Sequence, residues 1–192
     1  SLPIKELPNF IYELRKKDGI AALALEFTIL TAARTNEVIG DKRINKKGVT
    51  IKEIDFKKKV WTVPSSRMKN NKTHIVPLCN RALAIMLKFS HYKPDEQIFK
   101  GQKTEIPSDQ FMTSLLRRRM GYNYHVHGFR STFKDWAREQ TDFSDELSEI
   151  ALSHINNDAT RAAYARSSLV DKRREMMDRW SAFCLSLSDK DD

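Results

Sequence analysis

Five short stretches of this chain carry side chains suited to acting on a phosphodiester: Thr31-Ala32-Ala33-Arg34-Thr35-Asn36-Glu37, Arg67-Met68-Lys69, His127-Gly128-Phe129-Arg130, Leu152-Ser153-His154 and Tyr164-Ala165-Arg166. A phosphodiester shields its phosphorus behind anionic oxygens, so a catalyst must neutralise the non-bridging pair before attack. Arginine suits this task because its planar guanidinium stays charged and grips phosphate through paired hydrogen bonds. Arg34 and Arg130 are the candidates. His127 and Arg130 stand three residues apart, which places both on one side of a helix start. The loop 121–126 before them would aim that helix N-terminus, with its positive dipole end, at the same point. His154 supplies a third donor. Preorganised donors of this kind each contribute a factor of roughly 100 to 1,000. Tyr164 is the candidate nucleophile, set among the small residues Ala162, Ala163 and Ala165. A free phenol titrates near about pH 10, so nearby cations must favour the phenolate, and His127 is placed to accept its proton. Taken singly, each of these residues has an ordinary reading as a helix-end cation, a buried histidine or a packing tyrosine. Their joint occurrence in one order carries the argument.

That order resembles the tyrosine recombinases, the phage-integrase and chromosome-dimer-resolving family, over nearly the whole chain from Leu7 to Leu187. The family pattern is an Arg after an apolar helix, a Lys on a hairpin, a His-x-x-Arg, a His or Trp, then a Tyr about ten residues later. Two positions depart from it. Ala32 stands where the first box usually has Gly, and Ser153 stands where Leu-Gly-His is usual. Both are small-for-small exchanges that keep the functional side chains. The resemblance implies that Lys69, rather than its neighbour Lys72, is the hairpin lysine that protonates the departing 5′ oxygen. It also implies that Glu37 orients the neighbouring arginines. Arg67, Lys72 and Arg166 are further candidates for DNA contact. The implied product is a covalent 3′-phosphotyrosyl intermediate formed without cofactor, metal or ATP. The implied partner is double-stranded DNA, synapsed by a homotetramer, with a monomer expected for the free chain. Core-binding and arm-binding domains are expected to precede the segment 1–188 in a longer protein, with 189–192 a frayed tail. The segment after the tyrosine is expected to reach another protomer. A type IB topoisomerase shares the chemistry, and a DNA-binding module of the same fold without activity is the alternative from another class.

Charge agrees with a nucleic-acid partner. The 192 residues include 34 Lys plus Arg against 25 Asp plus Glu, a net charge of +9. Such an excess favours polyanions, because each neutralised phosphate releases condensed counterions. The runs Lys57-Lys58-Lys59, Arg117-Arg118-Arg119 and Lys172-Arg173-Arg174 read equally as solvated faces or DNA contacts. The apolar stretch 20–33 contains Glu26 and is too short to span a bilayer, so a bacterial cytoplasmic protein is expected. Cys79 and Cys184 read as buried thiols. His125-x-His127 with His154 lacks the Cys or acidic partners of a zinc site. No GxxxxGK[ST] run exists to cradle ATP.

The elements that must position these groups read as helix-rich α+β. Helical periodicity marks 8–17, the apolar run 20–33, a turn through Glu37-Val38-Ile39, and 80–89, 108–120, 128–139, 145–152 and 169–187. A short element is expected at 158–165. Three β-rich runs, 49–54, 60–63 and 74–78, read as a small antiparallel sheet, with the basic stretch 65–73 as a hairpin tip. Leu169, Met176, Trp180, Phe183 and Leu187 form an apolar stripe on the last helix.

Overall fold

The computed structural model describes residues 1–154 and 169–188. Tyr164, Arg166 and the element expected at 158–165 lie outside the described residues, as does the tail 189–192. The described helices are α1 (Leu7–Arg15), α2 (Ile20–Thr31), α3 (Thr35–Ile39), α4 (Asn80–Leu87), α5 (Phe111–Ser114), α6 (Gly128–Gln140), α7 (Asp145–Ala151) and α8 (Leu169–Cys184). Strands β1 (Ile54–Asp55), β2 (Val60–Val63) and β3 (His74–Pro77) form one antiparallel sheet in the order β1-β2-β3. The class is α+β, mostly helical with one small sheet.

Helix α2 is the central element. Every residue from Ala24 to Thr31 is buried, which is why its sequence is apolar all round. The one charge inside it, Glu26, is 2 % exposed and is matched by Arg81, whose Nε and Nη2 donate to its two oxygens at 2.6 and 2.8 Å. A buried carboxylate needs such a partner, since an unpaired one is expelled or protonated. Helices α1, α4, α5 and α8 pack around α2. Trp61 of β2 tilts against Phe27 of α2 with ring centroids 5.4 Å apart, which seats the sheet on the helical core.

Two elements depart from the sequence expectation. The run 49–54 is not a six-residue strand: a 3₁₀ turn fills Ile51–Glu53, and only Ile54 and Asp55 pair with β2. Its backbone is claimed by the segment 94–98 instead. Ile98 N–H donates to the Val49 carbonyl at 2.9 Å, and Lys52 N–H to that of Pro94 at 3.1 Å. The helix expected over 108–120 starts only at Phe111, and its second half, Leu115–Arg119, widens into a π-helical turn. Met120 N–H bonds five residues back to Leu115 at 3.1 Å, and Gly121 follows at φ +77°, which ends the turn.

The apolar stripe of α8 is also corrected. Met176 and Trp180 are fully buried against this chain's own core, and Trp180 Nε1–H donates to the Ile29 carbonyl of α2 at 2.8 Å. Trp180 sits among Phe133, Trp136 and Phe183. The stripe is the closing face of this domain rather than an arm for another protomer; only its end, Leu187, is exposed. Helix α8 also holds the sheet. Arg173, 7 % exposed, donates to the Ile75 carbonyl of edge strand β3 at 2.6 Å, and Arg174 reaches the carbonyls of Lys58 and Lys59 just before β2. Part of the 172–174 run is therefore structural. Cys79 and Cys184 are both buried free thiols. Among the described residues no helix is long and apolar enough to cross a membrane.

Candidate active site

The site is built where α2 ends, α6 begins and α7 ends. Helix α2 stops at Ala32, which adopts φ +51°, ψ +27° and turns its chain out of the helix. Two residues on, Arg34 caps α3 in extended geometry, and Glu37 folds back to accept the Arg34 backbone N–H at 3.0 Å. That is one arm of a capping box; arginine has no acceptor for the reciprocal arm, so Glu37 N–H goes to the Arg34 carbonyl. The other Glu37 oxygen takes Arg34 Nη1 at 2.9 Å, and Glu37 is 4 % exposed. Glu37 thus fixes both the backbone and the guanidinium of Arg34.

Helix α7 ends in a second left-handed corner, Ser153 at φ +51°. The carbonyls exposed at this corner are the anchor of the site. Arg130 of α6, 6 % exposed, donates Nη1 to the Ala32 carbonyl at 2.5 Å and Nη2 to the Leu152 carbonyl at 2.6 Å. Arg34 donates Nη2 to the next carbonyl, Ser153, at 3.2 Å. Ala32 and Ser153, the two departures from the family pattern, both occupy the left-handed region that favours glycine. Burial, then the neighbouring Arg34, lowers the Arg130 pKa to about 10, so it remains a cation at neutral pH.

Arg34, Glu37, Lys69 and His127 line one cleft of about 450 Å³, together with Thr35, Asn36, Lys46, Arg67 and Met68. Lys69 and His127 are exposed on it; Arg130 is buried and does not line it. Burial and the charges of Arg130, Arg34 and His154 hold the His127 imidazole below its usual range, in the neutral form that accepts a proton. His154 follows the Ser153 corner, and its Nδ1 lies 2.6 Å from Glu149 Oε2. A carboxylate that close takes the Nδ1–H hydrogen bond and fixes the ring, so that Nε2 is left to donate to a phosphate oxygen when the ring carries both protons. Burial raises the Glu149 pKa, but hydrogen bonds from Lys134 and His154 outweigh it and keep the carboxyl below its usual range.

The hairpin tip separates its basic residues. Lys69 and Lys72 are both exposed, but only Lys69 lines the cleft. Arg67 turns inward: its side chain is 8 % exposed, paired with Glu53, and it donates to the carbonyls of Lys47 and Gly48. That fork is spent on bracing the hairpin, not on reaching outward to DNA. Two residues escaped the sequence reading. Lys46 enters the cleft from the loop after α3. His74 opens β3 on the face of buried Val76, beside the Ala151 carbonyl and facing Arg173, Arg34 and Arg130; burial first, then those cations, push it down to about 4. A slightly larger cleft of about 480 Å³ near Gly101, Phe111 and Arg119 contains no candidate catalytic side chain. Among the described residues no three His, Cys, Asp or Glu side chains gather as metal ligands.

The phage integrase family profile matches residues 2–169, most of the chain. The chain belongs to the phage integrase family. It is similar to the integrase of Shigella phage Sf6, 29% identical over 187 residues, covering 94% of this chain and 46% of the relative. The integrase of Enterobacteria phage P4 is 29% identical over 205 residues, covering 95% of this chain and 45% of that protein. Prophage integrase IntA of Escherichia coli (strain K12) is 35% identical over 133 residues, covering 67% of this chain and 32% of its own. The chain thus spans less than half the length of these curated relatives. No solved structure matches it. Membership gives the arginine pair, the hairpin lysine and the two histidines a common context, since the matched span runs through all of them.

Proposed function

We propose that this chain is the catalytic domain of a tyrosine-type site-specific recombinase that integrates or excises a phage or other mobile element. The observation that carries the reading is the arginine pair, Arg34 and Arg130, anchored on adjacent carbonyls, with Arg34 lining a cleft it shares with Lys69 and His127 in a phage integrase family chain. The paired guanidiniums take the two non-bridging oxygens of the scissile phosphate, and His154 adds a donor. The Tyr164 hydroxyl attacks phosphorus and its proton passes to His127. The bond from phosphorus to the 5′ oxygen breaks, Lys69 protonates that oxygen, and a 3′-phosphotyrosyl ester remains. A 5′ hydroxyl from a second strand then attacks the ester, and the same groups return the protons. One phosphoester replaces another, so the reaction balances without ATP, and the cations supply the charge stabilisation without metal. Double-stranded DNA is the substrate, held by four protomers at synapsis, with the net charge of +9 favouring the encounter.

The test is a nicked suicide duplex, from which the cleaved fragment is lost so that the covalent species accumulates. The full-length protein should give a DNA adduct that maps to Tyr164, in excess chelator and without nucleotide. Tyr164→Phe should abolish the adduct while binding DNA normally. Full adduct formation by the Phe variant, or a strict need for a divalent ion in the cleavage step, overturns the reading.

A further inference from the structure

The Ser153 side chain has no place in the chemistry above, yet it sits in a backbone conformation that disfavours any side chain. Its hydroxyl faces the hairpin: Asn70 Nδ2 donates to Ser153 Oγ at 3.4 Å, across 83 residues of sequence. Asn70 is the immediate neighbour of Lys69. Its carboxamide is oriented by its own loop, because Oδ1 accepts the Lys72 N–H at 3.1 Å, which leaves the amide NH₂ for Ser153. The loop itself is a tight turn, closed by Asn71 N–H on the Met68 carbonyl at 3.1 Å, with Lys69 and Asn70 at its centre. The same Ser153 gives its carbonyl to Arg34. A single residue therefore touches both the guanidinium that meets the phosphate and the turn that carries the lysine.

We propose that Ser153 and Asn70 form a clasp that sets the position of Lys69 relative to Arg34 for proton transfer to the leaving oxygen; this rests on the assignment of Lys69 as the acid. Lysine needs such help. Its ammonium rides on a flexible four-carbon stem, and Lys69 is exposed, so its reach is set by where its backbone is held. Between the ends of β2 and β3 the tip runs from residue 64 to 73, and without a tether a loop of that length explores many positions. A misplacement of about 1 Å costs a catalytic group roughly 100-fold. At 3.4 Å the bond is long, so it restrains the tip without freezing it. Ser153 and Asn70 are positioning residues: they act through Lys69 and touch no reacting atom.

The experiment compares the full-length protein with its Ser153→Gly, Asn70→Ala, double and Lys69→Ala variants. Each is assayed on suicide duplexes with an ordinary 5′ oxygen and with sulfur in its place, a leaving group that needs no proton. Ser153→Gly removes the hydroxyl and relieves the left-handed strain, so its melting temperature should hold, and Asn70→Ala alters only a surface turn. Each single variant should cleave ordinary DNA about two- to tenfold more slowly, the loss expected for one hydrogen bond. The double variant should be no slower than the singles, and all three should cleave the sulfur-bridged duplex at the parental rate. Parental rates for both singles on ordinary DNA overturn the clasp. Equal slowing on both substrates also overturns it, because the effect then runs through the Arg34 carbonyl anchor rather than Lys69. Should Lys69→Ala itself be equally slow on both duplexes, the acid assignment fails and the clasp with it. Rescue of Lys69→Ala without rescue of Ser153→Gly removes the clasp alone.

Discussion

Arg34 and Arg130 are held by consecutive carbonyl oxygens: Leu152 takes Nη2 of Arg130 at 2.6 Å and Ser153 takes Nη2 of Arg34 at 3.2 Å. The spacing of the two guanidiniums is thus fixed by one peptide unit at the end of α7. Two like charges are brought together; among the described residues Glu37 pairs directly with Arg34, and Glu37 and Glu149 both act on the Arg130 charge from nearby without outweighing its burial and Arg34. An anion entering between them relieves this repulsion, which is the electrostatic argument for the proposed phosphate position.

Arg130→Lys separates charge from geometry. A lysine keeps the cation but cannot serve the Ala32 carbonyl, the Leu152 carbonyl and a phosphate from a fixed planar fork. Cleavage should fall by about 100- to 1,000-fold, as for loss of one preorganised donor. Carbonyls left short of a partner should lower stability by about 1–3 kcal/mol. Single-turnover cleavage and denaturant melts measure the two effects; near-parental cleavage would show that the fork is dispensable.

The left-handed corner at Ala32 gives a prediction free of catalysis. A non-glycine residue at φ +51° is strained by about 1–2 kcal/mol, and glycine gives back about 0.4–1 kcal/mol of that through its more flexible unfolded chain. Ala32→Gly should therefore leave the protein equally stable or about 0.5–1 kcal/mol more so. Ala32→Val, β-branched and buried at the same corner, should be clearly destabilising. A lower melting temperature for the glycine variant would contradict the backbone assignment.

The side-chain chemistry was legible and its scaffold was not. Arg34, Lys69, His127 and Arg130 were readable as candidates because motif order reports side chains; the structure brings the first three to one cleft and holds Arg130, buried, on the Ala32 and Leu152 carbonyls. Tyr164 lies outside the described residues. The anchoring carbonyls of Ala32, Leu152 and Ser153 carry no sequence signal, since every residue has a carbonyl; only the glycine preference at two of those positions hinted at special backbone. His74 was passed over because a lone histidine in a strand has no diagnostic spacing. Arg173 was readable in part: it stands three, four and seven residues before Met176, Met177 and Trp180, on the buried stripe of α8, and charge alone concealed it. The first strand failed because β-rich composition at 49–54 reports burial, whereas pairing there is taken by the 94–98 segment.

The burial of Trp180 changes what its removal should do. With the ring fully enclosed and its N–H on the Ile29 carbonyl, Trp180→Ala should lose about 3–5 kcal/mol of stability in a single protomer. The loss should appear in dilute protein without DNA. Intact stability with a defect confined to synapsis would restore the arm reading for this helix.

His74 makes the last prediction, in the acid range. It is a partly buried imidazole whose pKa falls from 6.5 to about 4 because burial disfavours its charge and Arg173, Arg34 and Arg130 repel it, while the Ala151 backbone opposes the shift. In the unfolded chain it protonates near 6.5. Between 6.5 and about 4 the unfolded state binds a proton that the folded state refuses, so the folded state loses ground as the pH drops. The stability is complete above 6.5, declines through that window and levels off below the folded pKa. His127 is shifted in the same direction and adds to the slope, whereas hydrogen bonds from Lys134 and its neighbours hold the carboxyls of Asp145 and Glu149 below their usual range, Asp145 down to about 2. His74→Gln keeps a polar side chain of similar reach but cannot charge. Thermal melts across this window should show a shallower decline for the variant than for the parent, with the curves closest at neutral pH. Parallel curves would mean that His74 titrates normally in the folded protein and that the arginines around it do not enclose it.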